Sequence, residues 1–140
     1  MAKAALYLDS SALVKLVVRE AESEALFDFL SAYPRRISSI LATTEVPRAV
    51  RRLPEVPDNL LSRASQVLDN IEQIELSPTL AVAAAALEPA TLRSLDALHL
   101  ASALALGDEL AGIVSYDRRL TDAAREVGLS VYTPGALQTM

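Results

Sequence analysis

The chain has 140 residues and a mass of 15.0 kDa, which suits one domain, residues 1–140, with a real core. No cysteine and one histidine exclude disulfides, thiolate sites and histidine-rich zinc sites, so any metal must take oxygen ligands, as Mg²⁺ and Mn²⁺ do. Hydrophobic residues make up 51% but aromatics only 4%, so Ala, Leu and Val build the core, and the net charge of −5 argues against unspecific binding to nucleic acid.

Ala4 to Asp9 reads as a buried strand, and a helix follows over about Ser11 to Val18 with Ser10 or Ser11 as its N-cap. No secretory signal is expected, since Asp9 and Lys15 interrupt the first apolar stretch. Glu22 to Ser31 is an amphipathic helix with Ala25, Leu26, Phe29 and Leu30 on one face. Arg36 to Ser38 is a short strand, and Ser39 to Leu53 is helical, with Pro47 kinking it or opening a fresh first turn. Asp58 is placed to cap a helix that runs to about Asn70, and Ile71 to Leu76 alternates as a strand. Ser77-Pro78 opens a further helix, which Pro89 stops. The uncharged apolar run from Leu80 to Leu87 is too short to span a bilayer, so a soluble cytoplasmic protein is expected.

Ser94 to Leu106 is helical with Gly107 at C′, Ile113 to Tyr116 is a strand, and Thr121 to Val127 a helix ended by Gly128. Leu129 to Tyr132 is a last short strand. Strands alternating with helices predict an α/β/α sandwich around a mostly parallel sheet of four to five short strands.

Four acids stand in apolar company. Asp9 ends the run Ala4 to Leu8, Asp117 ends Gly112 to Tyr116, and Glu45 and Asp96 lie inside apolar helical patterns. A carboxylate in such surroundings is desolvated unless something compensates it. In parallel α/β sheets, ligands bind beyond the carboxyl ends of the strands, which is where Asp9 and Asp117 sit. A cluster of carboxylates repels itself, and Mg²⁺ or Mn²⁺ would supply the missing charge. Such an ion activates water and stabilises a leaving oxygen, and two of them about 3.5–4 Å apart clamp an in-line displacement.

The segments around these acids resemble a known family. Leu8-Asp9-Ser10-Ser11-Ala12-Leu13-Val14-Lys15-Leu16 and Ser38 to Ala49, which holds Glu45, are similar to segments of the PIN-domain ribonucleases, specifically the VapC-type toxins. So are Ser94-Leu95-Asp96-Ala97-Leu98-His99-Leu100-Ala101-Ser102-Ala103 and Ile113 to Leu120, the latter followed by Ala123, Ala124 and Gly128. The resemblance covers nearly the whole chain in order. It implies a PIN fold, Mg²⁺ or Mn²⁺ dependence, endonucleolytic cleavage of RNA, and a toxin inhibited by a cognate VapB-type antitoxin. Carried over by motif, Asp9, Glu45, Asp96 and Asp117 are the acidic site residues and metal ligands. Ser115 is placed to order water or Asp117, and Ser10 to touch the site.

Plainer roles stand beside these. Asp9 can be a helix N-cap, Asp96 a first-turn partner of the helix dipole, and Asp117 the end of a strand. Glu45 can pair with Arg48 or Arg52 on one helix, and Asp122 is a nearby acid suited to a solvated face. His99 follows Asp96 by three, and a packed or hydrogen-bonded core histidine is expected. Arg48, Arg51, Arg52 and Arg118 suit phosphate contacts, or else a solvated face. Leu13, Leu16, Val17, Leu26 and Phe29 are the candidates for an apolar groove taking the antitoxin, and a homodimer is expected. A non-cleaving RNA- or protein-binding module is the alternative. A receiver domain is disfavoured because Ile71 to Leu76 ends at Ser77 where an acceptor Asp is needed. Four glycines, with no GxGxxG or GK[ST] loop, disfavour nucleotide-binding folds.

Overall fold

The apolar run ahead of Asp9 forms the central strand β1 (Ala5–Leu8), buried along its whole length, in a computed structural model that describes residues 4–137. Burial of every residue is what a central parallel strand requires, because both faces of such a sheet are covered. β2 (Arg35–Ser39) and β4 (Leu110–Val114) flank β1, β3 (Glu72–Ile74) lies outside β2, and β5 (Val131–Tyr132) outside β4. The order is β3-β2-β1-β4-β5, and every pair is parallel. The chain therefore leaves β1 toward one edge and returns to β4 on the other side, which makes the gap between β1 and β4 the topological switch point.

Seven helices cover the sheet among the described residues: α1 (Ser10–Val17), α2 (Ser23–Leu30), α3 (Ala42–Arg51), α4 (Leu60–Asp69), α5 (Pro78–Ala85), α6 (Ser94–Leu104) and α7 (Arg118–Glu126). The alternation of β1 divides the core. Leu6 and Leu8 pack with Leu13 and Leu16 of α1, Leu26 of α2, and Val46 and Val50 of α3. Ala5 and Tyr7 point to the other face, with Leu100 of α6, Ile113 of β4 and Leu120 of α7. α5 packs on α6 through Leu80 and Ala84 against Ala97 and Ala101. Each fully buried Leu contributes about 1.5–3 kcal/mol. The result is the expected α/β/α arrangement.

Several local expectations are corrected. The N-cap of α1 is Asp9, whose carboxylate accepts the Ala12 N–H, and not Ser10 or Ser11, which lie inside the helix. Asp58 does not cap α4, which starts after Asn59 without a side-chain cap. Pro47 lies within α3 and opens no fresh turn, since the helix starts at Ala42, and fully buried Val46 and Val50 hold it on the core. Gly107 takes a positive φ of 54°, but α6 has its C-cap at Ala105, so Gly107 starts a 3₁₀ turn two residues later. α7 begins at Arg118, three residues earlier than expected, because Asp117 caps it.

The residues expected to form an apolar groove do not. Leu13, Leu16, Val17 and Leu26 are core, and Phe29 is packed against that core. Gly112 permits a close approach of β4 to β5: a Cβ there would run into the Tyr132 ring and lie 2.8 Å from Ser130 O. No helix among the described residues is long and apolar enough to cross a membrane.

Candidate active site

Asp9 and Ser115 follow Leu8 and Val114, which are register partners on adjacent strands, so the sheet itself sets the two side by side. Asp9 is 4% exposed. Its Oδ1 accepts from Ser11 Oγ at 2.7 Å and the Ala12 N–H at 3.0 Å, and its Oδ2 accepts from Ser115 Oγ at 2.6 Å. Both serine oxygens in turn accept a backbone N–H, Ser11 from Tyr116 at 2.9 Å and Ser115 from Asp117 at 3.1 Å. Each hydroxyl hydrogen is thereby free to point at Asp9, and the loop after β4 is tied to the end of β1. Burial raises the pKa of Asp9, against the lowering effects of Ser115, Ser11, His99 and the Ala12 amide.

Asp117 caps α7, its Oδ1 accepting from the amides of Arg119 and Leu120, which leaves Oδ2 turned to the site. Asp96 stands in the first turn of α6, where the dipole tolerates an anion. Burial raises its pKa first, and the charge of Asp117 adds to that, while Arg93 acts the other way. The Arg93 guanidinium lies across both acids, Nε 3.3 Å from Asp96 Oδ2 and a terminal nitrogen 3.1 Å from Asp117 Oδ2.

Glu45 does not pair with Arg48 or Arg52. Its Oε1 lies 2.6 Å from His99 Nε2 and 2.8 Å from Ser10 Oγ. His99 is buried, as a core histidine should be, and its Nδ1 lies 2.7 Å from the Tyr7 hydroxyl. Burial keeps the Tyr7 phenol protonated well above its ordinary range, and because the Glu45 carboxylate can only accept, His99 Nε2 carries a proton and donates it to Glu45. Burial would raise the pKa of Glu45, but the hydrogen bond and charge of His99, with the Ser10 hydroxyl, turn the balance and lower it.

Asp9, Glu45, Asp96 and Asp117 line one cavity of about 460 Å³ at the carboxyl ends of β1 and β4, together with Ser10, Arg93 and His99. Asp122 stays outside it, exposed and 3.5 Å from Arg125. Arg52 lines the same cavity and also, with Arg48 and Arg51, an adjoining hollow of about 190 Å³. Arg118 is exposed and lies outside both.

The donor set, all carboxylate and hydroxyl oxygen apart from one imidazole already bonded on both nitrogens, matches a hard divalent cation. Among the described residues, however, no three acid or histidine side chains are gathered closely enough to hold one ion as they stand. Hydroxyls hold Asp9, an imidazole holds Glu45, and a guanidinium holds the other two. Sequence reasoning missed Arg93 and the part played by Ser11. Arg93 carried a signal: an arginine at the N-cap of α6 opposes the helix dipole and cannot accept the free amides there, so it needs acids of its own.

The PIN domain family matches residues 6–126. The chain is 41% identical to ribonuclease VapC46 of Mycobacterium tuberculosis over 131 residues, covering 94% of this chain and 98% of that protein. It is 37% identical to ribonuclease VapC47 of the same organism over 137 residues, covering 95% and 99%, and 41% identical to ribonuclease VapC35 over 134 residues, covering 93% and 97%. With the acids at the switch point of a five-stranded parallel sheet and this likeness running along nearly its full length, the chain belongs to the PIN-domain family, among its VapC-type members.

Proposed function

We propose that this chain, working as a single catalytic domain, is a metal-dependent endoribonuclease and the toxin of a toxin–antitoxin module. The observation that carries the proposal is the convergence of Asp9, Glu45, Asp96 and Asp117 on one cavity, in a chain whose relatives are named ribonucleases. Bound Mg²⁺ or Mn²⁺ would activate water for attack on the phosphodiester and stabilise the leaving oxygen. Asp9, Asp96 and Asp117 would hold the cation. Ser11 and Ser115 would present Asp9 to it, and the cap of α7 uses only Oδ1 of Asp117. Glu45, fixed by His99 and Ser10, would orient the water or share the cation. Arg52, with Arg48 and Arg51 beside it, takes the RNA backbone as it enters.

Chelation decides between this function and a non-cleaving module. Purified chain is expected to lose RNA cleavage by about a hundredfold or more in EDTA, and to regain it with Mn²⁺ or Mg²⁺. Sequencing the new RNA ends would identify the substrate. Undiminished cleavage under chelation removes the metal, and RNA bound but left uncut with either ion favours the module.

A VapB-type antitoxin partner, a cytoplasmic location and a homodimer complete the proposal. Exposed Val82 on the alanine-rich α5 and Leu95 on α6 at the acid cavity, at 72% and 48%, offer apolar surface. The expected mass in solution without antitoxin is that of two chains, and a monomeric mass would remove the dimer.

A further inference from the structure

Arg93 bridges two of the four acids of the cavity. Its guanidinium touches the site-facing oxygens of both Asp96 and Asp117, so it satisfies the two acids that α6 and α7 bring together. The contact is peculiar in three ways. The arginine occupies the N-cap of α6, where a cation opposes the dipole and where no side-chain cap is made. Its side chain is 63% exposed while that of Asp96 is 12% exposed, so the cation reaches in from solvent over a buried acid and can leave again without disturbing the core. The ordinary helix-surface pairing of an arginine with an acid three residues on would need Asp96 alone, yet the second nitrogen goes to Asp117, 24 positions away. The like charges of Asp96 and Asp117 thus already have a partner before any metal arrives.

Resting on the metal-dependent reading above, we propose that Arg93 is a built-in counter-cation of the acid site: divalent cation binding displaces it from Asp96 and Asp117, and the displaced guanidinium turns to a phosphate of the RNA. Held on the acids, it neutralises the pair and keeps the loop after β4 against α6. Both acid oxygens it covers are needed by the metal, so the two cations compete. Once displaced, it remains tethered at the cavity rim beside the substrate, and its planar fork suits a phosphate as well as it suits a carboxylate.

Binding of Mn²⁺ alone, measured by calorimetry or by loss of the free-ion paramagnetic resonance signal, tests the competition. Arg93→Ala is expected to bind Mn²⁺ roughly three- to tenfold tighter than wild type, because two partly exposed ion pairs no longer have to be broken. Arg93→Lys, which keeps the charge but cannot fork across two acids, is expected to fall between them. In cleavage assays at saturating Mn²⁺, Arg93→Ala is expected to raise KM for RNA. The opposite signs of the two effects separate this role from a structural one, which would weaken both. Equal or weaker Mn²⁺ binding by Arg93→Ala, with wild type binding the ion, overturns the proposal and leaves the metal site standing. Tighter Mn²⁺ binding with unchanged KM removes the phosphate contact. Failure of both proteins to bind Mn²⁺ overturns the proposal together with the metal reading.

Discussion

Asp9→Asn is expected to abolish RNA cleavage, by roughly a hundredfold or more, while the metal-free protein melts no lower than wild type. The loss follows from charge. Asparagine is nearly the same shape, but it brings no negative charge to the cavity and presents an amide where Oδ2 met Ser115. The preserved fold follows from the hydrogen bonds. The asparagine carbonyl can still accept the Ala12 amide and the Ser11 hydroxyl, and the Ser115 hydroxyl can turn to accept from the new NH₂ group.

Burial adds a reason for stability to hold or rise. The folded protein binds the Asp9 proton more tightly than the unfolded chain does, because burial raises the folded pKa. The stability this group contributes is therefore fully present below the ordinary carboxylate value, and is lost as pH rises through the raised value. At neutral pH the substitution removes that penalty. Thermal melts in chelator and in Mn²⁺, beside cleavage assays, make the measurement. Only wild type should gain stability from Mn²⁺, by about 2.7 kcal/mol when the ion is at a hundred times its dissociation constant. Wild-type cleavage by Asp9→Asn, with metal controlled, would remove Asp9 from the site. Were the variant to unfold, Asp96→Asn, further from the core strands, carries the same test.

His99→Ala is expected to lower stability by about 3 kcal/mol and the melting temperature by roughly 10 °C. The imidazole is 2% exposed and bonded on both nitrogens, so truncation opens a cavity and costs the buried Tyr7 hydroxyl its 2.7 Å contact with Nδ1. It also frees Glu45, which keeps only Ser10. His99→Leu separates the two consequences. Leucine refills much of the volume, so stability should recover in part. It cannot donate to Glu45, so turnover should stay lowered by roughly 10- to 100-fold, the range seen when groups that orient a site are removed. Full turnover by His99→Leu would mean that Glu45 needs no positioning and that His99 serves packing alone.

Much of this protein was legible in its sequence because the signals were local. A run of buried apolar residues that stops at an acid marks the end of a parallel strand. Two such ends, at Asp9 and Asp117, and an acid in the first turn of a helix, at Asp96, locate a site before any contact is known. Periodicity also placed the helices, with errors at their ends where capping decides: Asp9 and Asp117 set the starts of α1 and α7 because their carboxylates reach the free amides, and Asp58 has no such reach.

What holds each acid lay beyond local reading. His99 meets Tyr7 across 92 positions and Glu45 across 54, and Ser115 meets Asp9 across 106. Arg93 joins the start of α6 to the start of α7, reaching Asp117 across 24 positions. The sequence by itself determined which residues carry charge and which faces seek burial, since those follow from side-chain chemistry and period. Only the tertiary structure decided which charges meet, because β4 returns beside β1, and that crossover sets hydroxyls, an imidazole and a guanidinium against four acids far apart in the chain.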